Sequence, residues 1–425
     1  MNMIISQNLT NNVNSVDNSD IHLPLTNLML MSNMHTNKNK SNSNAHSTSD
    51  NSSTINDIRH PEDFAGVSFS LYKRSQVKKS LVEALNKSAI EEANYWAAEL
   101  ICCGCFLELW EVLLEFMGRN INTANPKLPV IIDKRFKDFK DIAMGEYSTK
   151  QLDMRNSSKV RKILAEVVSV LCTSRKKGRV EYIKIDKDND FDVLTLSKRL
   201  KAPTSEYGRK VIKNEDPTEI YVAINELCYH LSKQVRNSLM AQYWVEWILE
   251  FDQRCRKKKE RCQCIRRDFA PQEDDNGQDI IFIVWDAILT EAKTRSSSTN
   301  TKALTTILTS ILELFKIRFT SGTKKRRRHL IYFAISLLCE PLDLSIAAIQ
   351  SENSVKSLLK NIDVVYKQVK QNEVISKETL NAIRLENEKY SKKQKVADAS
   401  TSEQAQKLKQ AEHKLNILTT MGMSS

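Results

Sequence analysis

From Phe64 onward, apolar positions recur at helical spacing between short polar breaks. Leu71, Val77, Leu81 and Leu85 predict a first helix. Ser88, with Glu91 three residues later, has the form of a capping box. Behind it, Ala93, Trp96, Ala97 and Leu100 fall at i, i+3, i+4 and i+7. Gly104 is a natural stop. A third helix is predicted from Phe106 to about Ile121 on Leu107, Trp110, Leu113, Leu114 and Met117. Asn125-Pro126 and Pro129 break the chain, and Pro129 suits the first turn of the next helix. Ser157–Thr173 carries Val160, Ile163, Leu164, Val167 and Val170 on one face.

Residues 175–215 are the least helical stretch. Val180-Glu181-Tyr182-Ile183-Lys184-Ile185 alternates as a short strand does, which predicts a small β-hairpin or an ordered insertion. Helical spacing returns at Asp216-Pro217, with Ile220, Ile224, Leu227, Leu231 and Val235, and then with Met240, Tyr243, Trp244, Trp247, Ile248 and Phe251. Further helices are predicted over Asp279–Lys293, Lys302–Phe319 and Lys324–Cys339. Val355, Leu358, Ile362, Val365 and Val369 form a two-heptad seam, too short to indicate a long coiled coil.

The expected fold is therefore all-α. It has an N-terminal helical region over 63–174, an irregular insertion or linker over 175–215, and a C-terminal helical region over 216–390. A polar tail over 391–425 carries a weak helix around Glu403–Ile417. Composition agrees: 9 Gly and 8 Pro in 425 residues are too few for a turn-rich β architecture. Residues 1–62 differ from the rest. Asn makes up about a quarter of them, Ser, Thr and Asp supply much of the remainder, and the composition predicts a disordered arm. Its one apolar island is Leu23–Met31.

Met1–Asn8 has no basic region followed by a long apolar run, so no secretory leader is expected. The longest apolar runs, such as Leu330–Cys339, reach about ten residues and are too short to span a bilayer. Nine cysteines without a leader point to reduced thiols and an intracellular location.

Several chemistries lack their parts. No two of the nine glycines are closer than Gly104 and Gly118, which excludes a Walker A loop, a dinucleotide fingerprint and a nucleophile elbow. Among the seven histidines, only His230 and His329 lie well inside the helical regions. Asp186-Lys187-Asp188-Asn189-Asp190 opens like a calcium loop, but Phe191 and Ser197 replace the required Gly and Glu. Cys102-Cys103-Gly104-Cys105 contains a C-x-x-C, and Cys255, Cys262 and Cys264 form a second group. Their spacings match no common zinc module, and buried or surface thiols are the simpler account. No catalytic residue, metal or cofactor is expected, and the reading leans toward a non-enzymatic chain.

The net charge is +12, and all of the excess lies beyond residue 60. Two basic clusters stand out. Arg254, Arg256, Lys257, Lys258, Lys259 and Arg261, followed by Arg266 and Arg267, crowd the predicted end of one helix. Lys324, Lys325, Arg326, Arg327 and Arg328 form an uninterrupted run. A weaker group is Arg175, Lys176, Lys177 and Arg179. Such clusters bind phosphate backbones by counterion release, or an acidic protein surface, and Lys324–Arg328 also has the composition of a nuclear-import peptide. At a helix C-terminus the same residues complement the helix dipole, whereas at an N-terminus they oppose it. All five tryptophans fall at core-like helical positions and are read as packing.

Ala93-Asn94-Tyr95-Trp96-Ala97-Ala98-Glu99-Leu100-Ile101, Leu109-Trp110-Glu111, Asn125-Pro126-Lys127-Leu128-Pro129 and Arg327-Arg328-His329-Leu330-Ile331-Tyr332-Phe333-Ala334-Ile335 together resemble a family of uncharacterised proteins of nucleocytoplasmic large DNA viruses, the chlorella virus and mimivirus group. The resemblance would cover most of residues 65–390. It implies a viral context, in a host cytoplasmic factory or a virion, with other viral proteins as partners, and it implies no mechanism; a nuclear location would follow from Lys324–Arg328 acting as an import peptide. Lys87-Ser88 through Trp110 is also faintly similar to the helical collar of clamp-loader ATPases, without their ATPase part. Three function classes follow. The first is a non-enzymatic viral binding or scaffold protein contacting nucleic acid or viral proteins through the basic clusters. The others are a DNA replication or transcription accessory factor, and an enzyme with a carboxylate-metal site that short motifs do not reveal.

Overall fold

The computed structural model describes residues 52–389, apart from 261, 273, 296–298 and 387. These residues build twelve α-helices joined by short turns and loops: α1 (Arg74–Lys87), α2 (Ile90–Cys102), α3 (Phe106–Phe116), α4 (Leu128–Met144), α5 (Ser158–Thr173), α6 (Val193–Arg199), α7 (Tyr221–Leu231), α8 (Ser238–Lys257), α9 (Ile281–Thr294), α10 (Thr299–Phe315), α11 (Arg328–Cys339) and α12 (Glu352–Lys370). The chain is helical again over 377–386. No strand occurs among the described residues, only isolated bridges at Val67–Lys73 and Gln263–Asp279. The fold is all-α. The residues before 52, Arg261 and the predicted tail helix lie outside the described residues.

The helix starts follow local chemistry. Ser157 caps α5 by accepting from the Val160 N–H, Asn237 caps α8 by accepting from Met240, and Asp192 caps α6 by accepting from Thr195. Pro129 lies in the first turn of α4, where its missing N–H costs nothing. Ser88 departs from expectation. It ends α1 in the left-handed conformation (φ 58°), with its N–H bonded back to α1 carbonyls, and α2 begins at Ile90 without a side-chain cap. Only Ser88 and Ala89 lie between the two helices, and Ala89, which has no side-chain acceptor, takes the N-cap position of α2.

After α3 the backbone widens into a π-turn, Met117–Ile121. Here Gly118 passes so close to α11 that a Cβ would lie 2.7 Å from the His329 carbonyl oxygen. The segment that alternates like a strand, 180–185, forms no hairpin. Its Val180 N–H bonds the Arg119 carbonyl at 2.9 Å, and the Ile183 N–H reaches the Tyr332 hydroxyl at 3.4 Å. Val180, Ile183 and Ile185 are partly buried against the helical core, while Glu181, Tyr182 and Lys184 face out. Burial alternates only over Tyr182–Ile185, and the inward side chains are satisfied by helices and not by a partner strand.

The helical regions before and after 175–215 share one core within a single compact unit, with a continuous cluster of buried side chains from Ile55 to Val369. α10 packs on α4, α11 on the π-turn, and α12 on α2 and α5. The two-heptad seam on α12 is buried in that last contact, so its partners belong to the same chain. Each fully buried aliphatic side chain there contributes roughly 1.5–3 kcal/mol relative to exposure.

The order also begins earlier than Phe64. Ile55, Asp57 and Arg59 are buried. Asn156 holds Ile55 by both its N–H (2.8 Å) and its carbonyl (2.9 Å). Arg59 binds Asp57 and lies over the rings of Phe64 and Phe69. The polar composition of 1–62 concealed this. Few apolar side chains are needed where backbone and ionic groups find buried partners.

Candidate polyanion-binding face

The two basic clusters occupy different environments. α8 ends in Arg254, Arg256, Lys257 and the C-cap Lys258, and Lys259 follows in the left-handed region at φ 62°. Arg256, Lys257, Lys258 and Lys259 are exposed. Arg256 is committed to Asp252 (2.7 Å) and Asp279 (3.2 Å). Arg254 is half-buried, donates to the Lys187 carbonyl at 2.8 Å and lies 4.3 Å above the Phe191 ring. Lys257, Lys258 and Lys259 make no ion pair among the described residues, and they crown the negative end of the helix dipole.

The run Lys324–Arg328 is folded inward. It precedes α11 and does not form its first turns: Lys324–Arg327 lie in tight turns, and the helix starts at Arg328. Lys324 is only 2 % exposed, and its Nζ sits 2.7 Å from carboxylate oxygens of both Asp252 and Asp279. Lys325 reaches Glu250 at 3.3 Å, with Lys187 on the other oxygen of that carboxylate at 3.7 Å. Arg327, 4 % exposed, pairs with Glu111 and donates to the carbonyls of Phe315 and Ile317. Arg328 binds Glu246 at 2.9 Å beneath the Tyr182 ring, and the Tyr332 hydroxyl donates to the other Glu246 oxygen at 2.8 Å. Burial raises the Glu246 carboxyl above its ordinary range, with Arg328 and Tyr332 opposing. Arg326 alone of the five is exposed and makes no ion pair among the described residues. It lines an open groove of about 750 Å³ in which Glu83, Glu108, Glu111 and Glu115 face Lys78, Lys79, Arg119 and Arg179.

The structure thus separates residues that the sequence grouped by charge alone. Lys324 and Arg327 are interior counter-ions, unavailable to a ligand, and Lys325 and Arg328 are largely occupied. The carboxylates that hold them, Glu246, Glu250 and Asp252, carried a legible signal. They interrupt the otherwise apolar Trp244–Asp252 stretch of α8, where a buried acid requires a cation.

Asp186 folds its loop locally, accepting from the N–H groups of Asp188 (3.0 Å) and Asn189 (3.3 Å), while Asp190 is buried against Arg199 at 3.0 Å. Among the described residues no three His, Cys, Asp or Glu side chains converge on a metal position. Trp96, Trp110, Trp244, Trp247 and Trp285 are all buried, so none offers a stacking platform for bases. No described helix is long and apolar enough to cross a membrane.

No protein-family model, curated protein or solved structure matches the chain.

Proposed function

We propose that this is a non-enzymatic binding protein that contacts the phosphate backbone of nucleic acid through the exposed basic end of α8, in the large-DNA-virus setting implied by the resemblance at residues 93–101 and 327–335. The observation that carries this reading is the contrast between the clusters: Lys257, Lys258 and Lys259 are exposed and make no ion pair among the described residues, whereas the longer basic run, Arg326 apart, is neutralised by carboxylates of the same chain. With no exposed tryptophan nearby to stack on bases, recognition would be electrostatic and insensitive to sequence.

The test is duplex-DNA binding by the full chain over a salt series, compared with the triple variant Lys257→Gln, Lys258→Gln, Lys259→Gln. Loss of three phosphate contacts should reduce the log–log salt slope by roughly 2.7. Unchanged affinity and slope would refute the assignment and leave the α8 end as a solvated helix terminus or a docking surface for an acidic protein.

A further inference from the structure

The turn between α2 and α3 holds three of the nine cysteines in four residues, and the tertiary structure sorts them. Cys102, the last residue of α2, is fully buried, in an interior that also holds Arg155 and Arg161. Cys103 is buried just beyond it, and its thiol donates to the Leu100 carbonyl or to the Cys105 sulfur, each 3.3 Å away. Cys105 is the N-cap of the eleven-residue α3 and is partly exposed. Gly104 between them adopts φ +77°, which turns the chain so that flanking side chains two residues apart meet. The close pair is therefore Cys103 and Cys105, not the C-x-x-C pair Cys102 and Cys105.

Three features make Cys105 the nucleophilic partner. A helix N-terminus stabilises a thiolate. Arg74 enters the same corner, bonding Glu108 at 2.6 Å one turn into α3, with Lys78 on the other Glu108 oxygen. The Cys103 thiol points at the Cys105 sulfur. That hydrogen bond, helped by Arg74 and Lys78 against burial and the Glu108 carboxylate, holds the Cys105 thiol below its ordinary value, and the same bond keeps Cys103 protonated. Cys262, the other half-buried cysteine, has the Cys255 thiol beside it but follows α8 and heads no helix, and burial, with Cys255 and Asp252 beside it, pushes it up to about 12.

We propose that Cys103 and Cys105 form a reversible dithiol–disulfide couple that exchanges with small-molecule disulfides of the glutathione type. The Cys105 thiolate attacks one sulfur of the incoming disulfide, releasing one thiolate and leaving a mixed disulfide. Cys103 loses its proton to solvent or to the released thiolate, attacks the Cys105 sulfur and expels the second thiol. The two protein thiols thereby lose two electrons and two protons, which leave with the incoming disulfide as two thiols. Closing the bond requires the sulfurs to move from 3.3 Å to about 2.0 Å, a change within reach of side-chain rotation about the Gly104 turn.

The experiment uses the full chain in anaerobic glutathione buffers of graded poise, quenched in acid, alkylated after denaturation and mapped by peptide mass spectrometry. As the buffer becomes more oxidising, a product two hydrogens lighter should accumulate, with Cys102 alkylated and Cys103 and Cys105 joined. Before oxidation, Cys105 should react with iodoacetamide at neutral pH at least roughly tenfold faster than Cys262. Cys103→Ser should trap glutathione on Cys105, and Cys105→Ser should leave Cys103 unmodified. The proposal is overturned if the wild-type chain keeps Cys103 and Cys105 reduced in oxidised glutathione alone, or if Cys105 reacts no faster than Cys262. Both readouts come from the wild-type protein, so a variant that fails to fold does not remove the test.

Discussion

Replacing Lys324 with Met removes the ammonium that joins α8 to the turn before α9 while keeping an unbranched side chain of similar length. Its Nζ lies 2.7 Å from an oxygen of each of Asp252 and Asp279, and all three side chains are at most 5 % exposed. Those oxygens are therefore no more than about 5 Å apart, and at an effective dielectric of about 20 their repulsion without the cation is roughly 3 kcal/mol. Arg256 still touches both carboxylates, but its side chain is 46 % exposed and relieves only part of that repulsion. Desolvated charge left without its partner typically costs about 3–5 kcal/mol in total, so Lys324→Met should destabilise the protein by about 4 kcal/mol, roughly a thousandfold in the unfolding equilibrium. Urea unfolding followed by the fluorescence of buried Trp244 and Trp285 would measure it. Adding Asp279→Asn should recover part of the loss, because one of the two stranded charges is gone. The salt slope for DNA should not change in either variant, since Lys324 faces the interior. A loss below about 1 kcal/mol would refute the argument, because it would mean that Lys324 is solvated and its carboxylates need no partner.

Burial, with Arg119 and Arg328 nearby, pulls the His329 imidazole down to about 4, below its ordinary value of about 6.5. Protonation is thus disfavoured in the folded state, so stability is complete above about pH 6.5 and falls as pH drops toward 4, by on the order of 3 kcal/mol. In His329→Leu this component should vanish, and a flat difference between the two stability–pH curves would contradict it. Gly118→Ala places a methyl group 2.7 Å from the His329 carbonyl oxygen and should cost about 2–3 kcal/mol in thermal or urea unfolding. An unchanged midpoint would show that α11 does not approach the π-turn so closely. A chain beginning at Phe64 should melt well below one beginning at Ser52, because it lacks buried Ile55 and the Asp57–Arg59 pair; equal melting temperatures by circular dichroism would place residues 52–63 outside the core.

The helices were legible because their determinants are local. Apolar residues at i, i+3, i+4 and i+7, Ser157 at a helix start, Pro129 in a first turn and the α12 seam act through a backbone period that needs no knowledge of distant residues. The exposed lysines at the α8 end were legible for the same reason, since a solvated charge at a helix terminus needs no partner. What the tertiary structure alone decided are pairings across long sequence separations. Lys325 meets Glu250 at 75 residues' distance, Arg328 meets Glu246 at 82, and Arg327 meets Glu111 at 216. Those contacts neutralise all of the most basic run of the sequence except Arg326, and charge count along a chain carries no information about which opposite charge folding will bring beside it. The strand-like alternation of 180–185 and the polar composition of 52–62 were ambiguous on the same ground. Each records that one side or a few groups are buried, and whether the partner is a strand, a helix or a single Asn156 side chain is set by what the rest of the chain places there. In the Cys-Cys-Gly-Cys turn, spacing offers Cys105 two neighbouring thiols, and the left-handed Gly104 with the burial of Cys102 brings Cys103 beside it.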